Sequence, residues 1–166
     1  VEQKIMSSNT NTVNVSAQAI QATAVLSVIL FTKVFVTNIG LGGAKNNAGG
    51  RAPEDTYQAN PEEVSESARV AQDRAQRIVN NDLENITYTL TLAWGSLYCI
   101  VLGGNDQHAV AHIVLFSIFV ASRIGHSIAY AKRIPTARSL VWLVGVLCSF
   151  AIGINGAIAS FGIEDI

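Results

Sequence analysis

The sequence predicts an all-α integral membrane protein, a four-helix bundle, and three observations carry that prediction. Four apolar stretches, at 16–39, 86–102, 109–131 and 140–161, come close to the roughly twenty residues a helix needs to cross a bilayer. Basic residues are concentrated in alternate links between them. Polar residues within and beside the stretches recur three, four or seven positions apart, which places each set on one helical face. With 49% apolar and 14% charged residues, the chain has too few charges to solvate every helix in water.

Residues 1–15 are rich in Asn, Ser and Thr and read as a disordered tail. Span one, 16–39, is too long for the core of a cleavable signal peptide and follows a nearly uncharged tail, so it reads as a retained helix. Lys33 lies deep within it and either snorkels or points into the bundle. Residues 40–85 form a loop and a helix extension. The part at 40–50 is a loop by its Gly and Asn content. Asn60-Pro61-Glu62-Glu63 then has the makings of a helix start: an Asn cap, Pro in the first position and acids at the positive dipole end. Few breakers follow before Gly103 and Gly104, so one helix over 61–102 is expected, about 60 Å long. Span three, 109–131, is followed by a tight turn at Pro135. In span four Gly145, Gly153 and Gly156 read as helix-packing positions. Cys99 and Cys148 read as packing residues, and a bridge between them has no support from their spacing.

The link after span one carries Lys45, Arg51, Arg69, Arg74 and Arg77, and the link after span three carries Lys132, Arg133 and Arg138. The link at 103–108 has no Lys or Arg, and the tail has only Lys4. The positive-inside rule therefore places both basic links in the cytoplasm and both termini across the membrane.

Arg77, Asn81 and Glu84 share one face where the second helix enters the membrane, and Arg123, His126 and Tyr130 share a face in span three. Ionisable groups are costly in a membrane and usually mark a functional site facing the bundle interior. These two stripes suggest a polar pocket for an anionic ligand, with an Arg123–Glu84 bridge neutralising both charges. Arg can hold a carboxylate, Asn can donate and accept, and Glu can take an ammonium. His108 and His112 have metal-ligand spacing beside Asp106 but no firm third ligand, so no metal is expected. No Ser–His–Asp set assembles on one membrane side, which argues against a hydrolase. A net charge of −1 gives a nucleic-acid partner no electrostatic support. A channel would string its charges across the membrane, whereas these cluster toward one half.

Four motifs together resemble the superfamily of membrane-associated proteins in eicosanoid and glutathione metabolism (MAPEG), in its branch of microsomal glutathione transferases and prostaglandin E synthases. They are Arg77-x-x-x-Asn81-Asp82-Leu83-Glu84-Asn85-Ile86, Arg123-Ile124-Gly125-His126-Ser127-Ile128-Ala129-Tyr130, Arg138-Ser139 and Arg51-Ala52-Pro53-Glu54-Asp55-Thr56. The resemblance implies a homotrimer in the endoplasmic reticulum membrane, with a glutathione site between neighbouring subunits near the cytoplasmic face. It implies that Lys45, Arg77, Asn81, Glu84, Arg123, His126, Tyr130 and Arg138 serve the glutathione site, Arg123 as the interior partner of Glu84. Arg138, Ser139, Tyr130 and Asp55 are the catalytic candidates it implies. The expected activity is glutathione transfer to lipophilic electrophiles, with reduction of lipid hydroperoxides as a second outlet. Ser139 matches the prostaglandin synthases, whereas Asn80 stands where those carry an Arg. A non-catalytic lipid-presenting protein is the remaining alternative within the superfamily.

Overall fold

The computed structural model describes residues 2–163 apart from Thr56, Pro61, Gly104 and Asn105, with side chains described from Val15 onward. The stretch expected to be a disordered tail, 1–15, therefore lies almost wholly outside the described side chains. Four helices follow one another: α1 (Glu2–Asn47), α2 (Glu66–Gly103), α3 (Asp106–Ala131) and α4 (Pro135–Ser160). All four are long and apolar enough to cross a membrane. The chain is an all-α, multi-pass membrane protein.

The helices outrun the expected spans, α1 beginning at Glu2, α3 at Asp106 and α4 at Pro135, and two further boundaries differ for a visible local reason. α1 continues through Gly40, Gly42 and Gly43 to Asn47, so the first part of the expected 40–50 loop is helical. Gly lowers helix propensity by about 1 kcal/mol, and contacts from the chain that follows oppose that loss here. The Arg51 guanidinium donates to the Gly42 carbonyl at 3.2 Å, and Gly50 N–H donates to the Lys45 carbonyl at 2.9 Å. α2 starts at Glu66 rather than at Pro61. The Asn60 side-chain oxygen accepts from Glu62 N–H at 3.2 Å in a local turn, and the helix cap is Ser65. Its hydroxyl accepts from Ala68 N–H at 3.3 Å, three residues on, which is the usual N-cap bond.

α2 and α3 form the centre of the bundle, with α1 packed against both on one side and α4 against both on the other. Leu30, Ile86, Ala93, Phe116, Phe119 and Ile152 fill the interior. Phe31, Phe35, Tyr88, Tyr98, Leu147 and Phe150 point outward, as expected of a surface bathed in acyl chains. Hydrophobic burial drives little association between helices in lipid, so close packing matters more. A Cβ at Gly156 would lie 2.5 Å from Ser96 Cα, and one at Gly145 would lie 2.8 Å from Ser122 Oγ. Both glycines are therefore packing positions, as read from the sequence. Gly153 is looser, with Leu92 Cδ2 3.4 Å from such a Cβ. Cys99 and Cys148 are free thiols.

Candidate functional site: a guanidinium-lined cleft over a buried ion cluster

Buried positions on α2 recur at Val79, Asp82, Ile86, Thr89 and Ala93, separated by three or four residues. Asp82 thus belongs to the stripe that faces the bundle interior. On α1 the buried Thr23 and Leu30 lead by the same spacing to Lys33, whose side chain is 9% exposed. α3 contributes Arg123, which is fully buried. The three meet. Lys33 Nζ pairs with Asp82 Oδ2, and Arg123 Nη2 lies 3.6 Å from Asp82 Oδ1. Thr37 Oγ1 donates to Asp82 Oδ2 at 3.4 Å. Lys33 therefore points into the bundle, and the acid facing Arg123 is Asp82 rather than Glu84, which is exposed. The reason is register: Glu84 lies two residues beyond Asp82, roughly half a turn away from the buried face.

Arg123 carries the cluster toward the end of the bundle that holds the basic links. Its Nη2 donates to Asn81 Oδ1 and, at 3.2 Å, to His126 Nδ1. One turn further on, the Tyr130 ring packs at 59° to the His126 ring, with centroids 5.7 Å apart. The sequence therefore identified one connected group in Asn81, Arg123, His126 and Tyr130.

A cleft of about 330 Å³ opens beyond Tyr130, bordered by Asp73, Arg74 and Arg77 of α2 and by Arg133 and Arg138 around the α3–α4 turn. Local chain geometry creates it. α3 ends with Ile134 N–H donating to the Ala129 carbonyl at 3.0 Å and Arg133 N–H to the Tyr130 carbonyl at 3.2 Å. This pattern of two backbone bonds requires a left-handed residue, normally Gly, and that residue is Arg133 with φ of 61°. Extended Ile134 then leads into Pro135 at the start of α4. The return brings the Arg138 guanidinium over the Tyr130 ring, 4.8 Å from its centroid. Arg77 Nε donates to Asp73 Oδ2 at 2.8 Å. That bond and charge, with a smaller contribution from the Tyr130 hydroxyl, raise an already high guanidinium pKa. Four guanidinium groups and one carboxylate line the cleft, an excess of positive charge suited to an anion.

Other expected site residues stand apart from this cleft in the single chain. Lys45 ends α1 and is half-buried; Asp55 lies 3.8 Å from Arg51 in the following loop. Ser139 is exposed on the first turn of α4, and Glu84 is exposed on α2. Arg74 and Arg133 are cleft residues that sequence reasoning used only for orientation. Their signal was present, since Arg74 lies three residues before Arg77 and Arg133 three after Tyr130.

The fold and site together define a four-span helical membrane protein with a cationic cleft at one bundle end. The model of the MAPEG family matches residues 23–158, which include every residue of the cleft and the ion cluster, and the chain belongs to that family. The family includes glutathione transferases and related isomerases. No curated protein and no solved structure gives a match.

Proposed function

We propose that the protein is a membrane-bound glutathione transferase, which binds glutathione in the cleft as a thiolate and conjugates it to lipophilic electrophiles. The observation that carries this reading is the convergence of Arg77, Tyr130 and Arg138 on one cleft with two further arginines. A thiol with a pKa of about 8.5 is only a few per cent ionised at neutral pH, and the thiolate is the nucleophile. Lowering that pKa by about two units takes about 2.7 kcal/mol of preference for the anion, within reach of one well-placed guanidinium. Arg138 supplies that charge, and Tyr130 or Ser139 donates a hydroxyl. Arg77, with Lys45 and Glu84, orients the tripeptide through its carboxylates and ammonium. The thiolate attacks an electrophile that enters from the lipid, forming a C–S bond as a leaving group such as halide departs. With a lipid hydroperoxide it takes the terminal oxygen and releases the lipid alcohol, and a second glutathione then gives glutathione disulfide and water.

Lys45, Asp55, Glu84 and Ser139 join the site from a neighbouring subunit in this reading, which makes the working unit a homotrimer. The broad apolar exteriors of α1 and α4 leave room for that contact. Both basic links face the cytoplasm, the termini are luminal and the membrane is that of the endoplasmic reticulum. A prostaglandin E synthase-type isomerase is the second reading, favoured by Ser139 directly after Arg138. Asn80 weighs against it, because it is a neutral residue whose side-chain oxygen accepts from Gln76 at 2.8 Å.

The test is purified trimer mixed with glutathione, followed by ultraviolet thiolate absorbance and then by turnover of a halogenated aromatic and a lipid hydroperoxide. A thiolate signal with conjugation supports the transferase. Binding without turnover of either substrate leaves a lipid-presenting protein as the better reading.

A further inference from the structure

The cleft carries a charge pattern that rests on the glutathione reading and sharpens it. Among the described residues that line it, Arg74, Arg77, Arg133 and Arg138 are cations and Asp73 is the one acid. Asp73 stands one turn before Arg77 on α2, and its Oδ2 accepts from Arg77 Nε at 2.8 Å. Arg77 also meets the Tyr130 hydroxyl, which ties the pair to the α3 side of the cleft. The head of an α-amino acid holds an ammonium and a carboxylate on the same carbon. Its complement is an anion and a cation held equally close, and Asp73 with Arg77 is such a pair. We propose that Asp73 determines specificity: it takes the α-ammonium of glutathione's γ-glutamyl end while Arg77 takes the carboxylate beside it.

The pair can do this without coming apart. An ionised carboxylate has about four acceptor positions on its two oxygens, and a guanidinium has about five donors. Their mutual bond uses one of each. That leaves Asp73 room for an ammonium and Arg77 a fork of donors for a carboxylate. Both side chains are about two-thirds exposed, 64% for Asp73 and 65% for Arg77, so a ligand reaches them with no change in the core. Exposed pairs at this spacing add little to stability, so removing Asp73 tests binding and not folding. Arg74, Arg133 and Arg138 are then left for the second carboxylate and the thiolate. Without Asp73 the ammonium would meet guanidinium groups alone, and like charges repel. Glu84 cannot substitute within one chain, because it does not border the cleft. A thiol peptide that lacks the free amino group loses this contact, and the cleft thereby selects γ-glutamyl peptides over other anionic thiols.

Calorimetry with two inert probes tests this in detergent-purified protein. One is S-methylglutathione; the other is its des-amino analogue, with hydrogen in place of the ammonium. The unaltered protein should prefer S-methylglutathione by about tenfold, the order of a charge-assisted hydrogen bond. In Asp73→Asn that preference should fall to within about twofold, because S-methylglutathione binds more weakly. Asp73→Glu should keep most of it, and both variants should melt with the unaltered protein. In turnover, Asp73→Asn should raise KM for glutathione about tenfold with kcat within about twofold. Equal binding of the two probes by the unaltered protein overturns the proposal, as does a preference that Asp73→Asn keeps and Glu84→Gln removes. Tighter binding of S-methylglutathione by Asp73→Asn also overturns it, and makes Asp73 a competitor for Arg77. A protein that binds neither probe nor glutathione sinks the glutathione reading itself and this assignment with it; each of the other outcomes leaves that reading in place.

Discussion

Arg138 lies over the ring of Tyr130, its guanidinium carbon 4.8 Å from the ring centroid, and this contact joins the first turn of α4 to the last turns of α3. A planar cation held on an aromatic face has little freedom, so its charge is presented at a fixed place. On the proposed reading, Arg138→Ala should leave the protein folded but return bound glutathione to its ordinary thiol pKa. The thiolate fraction at pH 7 would fall from roughly three quarters to a few per cent. The sign in pH follows directly. The unaltered protein keeps its rate to within about twofold as pH falls from about 8.5 to 6.5, whereas the variant loses roughly fifty-fold over that range. A pH–rate profile with thiolate absorbance checks this, and identical profiles would remove Arg138 from thiolate formation.

The ion cluster makes a prediction about stability. Removing one member of a buried pair strands a charge and typically costs about 3–5 kcal/mol. Asp82→Leu should therefore destabilise the protein by that order in a thermal or denaturant melt in detergent. Glu84→Gln should stay within about 0.5 kcal/mol, as exposed substitutions do. The reverse ranking would restore Glu84 as the partner of Arg123.

Much of the fold was legible in the sequence because hydropathy and basic links act over whole segments. The span ends were less so. Gly40, Gly42 and Gly43 signal a loop, yet the chain there remains helical, with Arg51 bonded to the Gly42 carbonyl and Gly50 to that of Lys45, partners that lie beyond the stretch itself. Asn60-Pro61 outscored Ser65 as a cap because its signal is denser, although the hydroxyl that caps α2 belongs to Ser65. In the site, Arg123, His126, Tyr130 and Asn81 could be read from spacing alone. Asp82 could also have been found by extending the stripe of Ile86, Thr89 and Ala93 back by one turn. Glu84 drew attention instead because it shares a face with Arg77, and a shared face does not say which face is inward. The approach of Arg133 and Arg138 to Tyr130 depends on a turn whose left-handed residue is not Gly, and no local pattern announces that.

That turn supplies the third prediction. A left-handed conformation costs a non-Gly residue roughly 1–2 kcal/mol, and Arg133 bears that cost at the rim of the cationic cleft. Strain of this kind is found at ligand sites. Arg133→Gly should raise the melting temperature, corresponding to about 1 kcal/mol, and weaken glutathione binding several-fold through the lost charge. Arg133→Lys should keep the lower melting temperature and most of the binding. Calorimetry on the three proteins separates the effects, and a Gly variant that melts higher with unchanged affinity would make Arg133 a bystander.

The last prediction concerns how α4 is held against α2. Gly156 faces the Ser96 backbone, and an added Cβ would fall 2.5 Å from Ser96 Cα. That atom cannot rotate away as a side chain can, so the helices themselves must separate. In lipid the loss is serious, because close van der Waals contact is a principal force between helices. Gly156→Val should therefore destabilise by about 2–3 kcal/mol, the upper range for overpacking, in a thermal melt in detergent. Gly153→Ala tests the same helix where only Leu92 Cδ2 approaches, at 3.4 Å. Leu92 is partly exposed and can change rotamer, so this variant should melt within a few degrees of the unaltered protein. Equal loss at both sites would mean that α4 is held by its general apolar surface and not by one close backbone crossing.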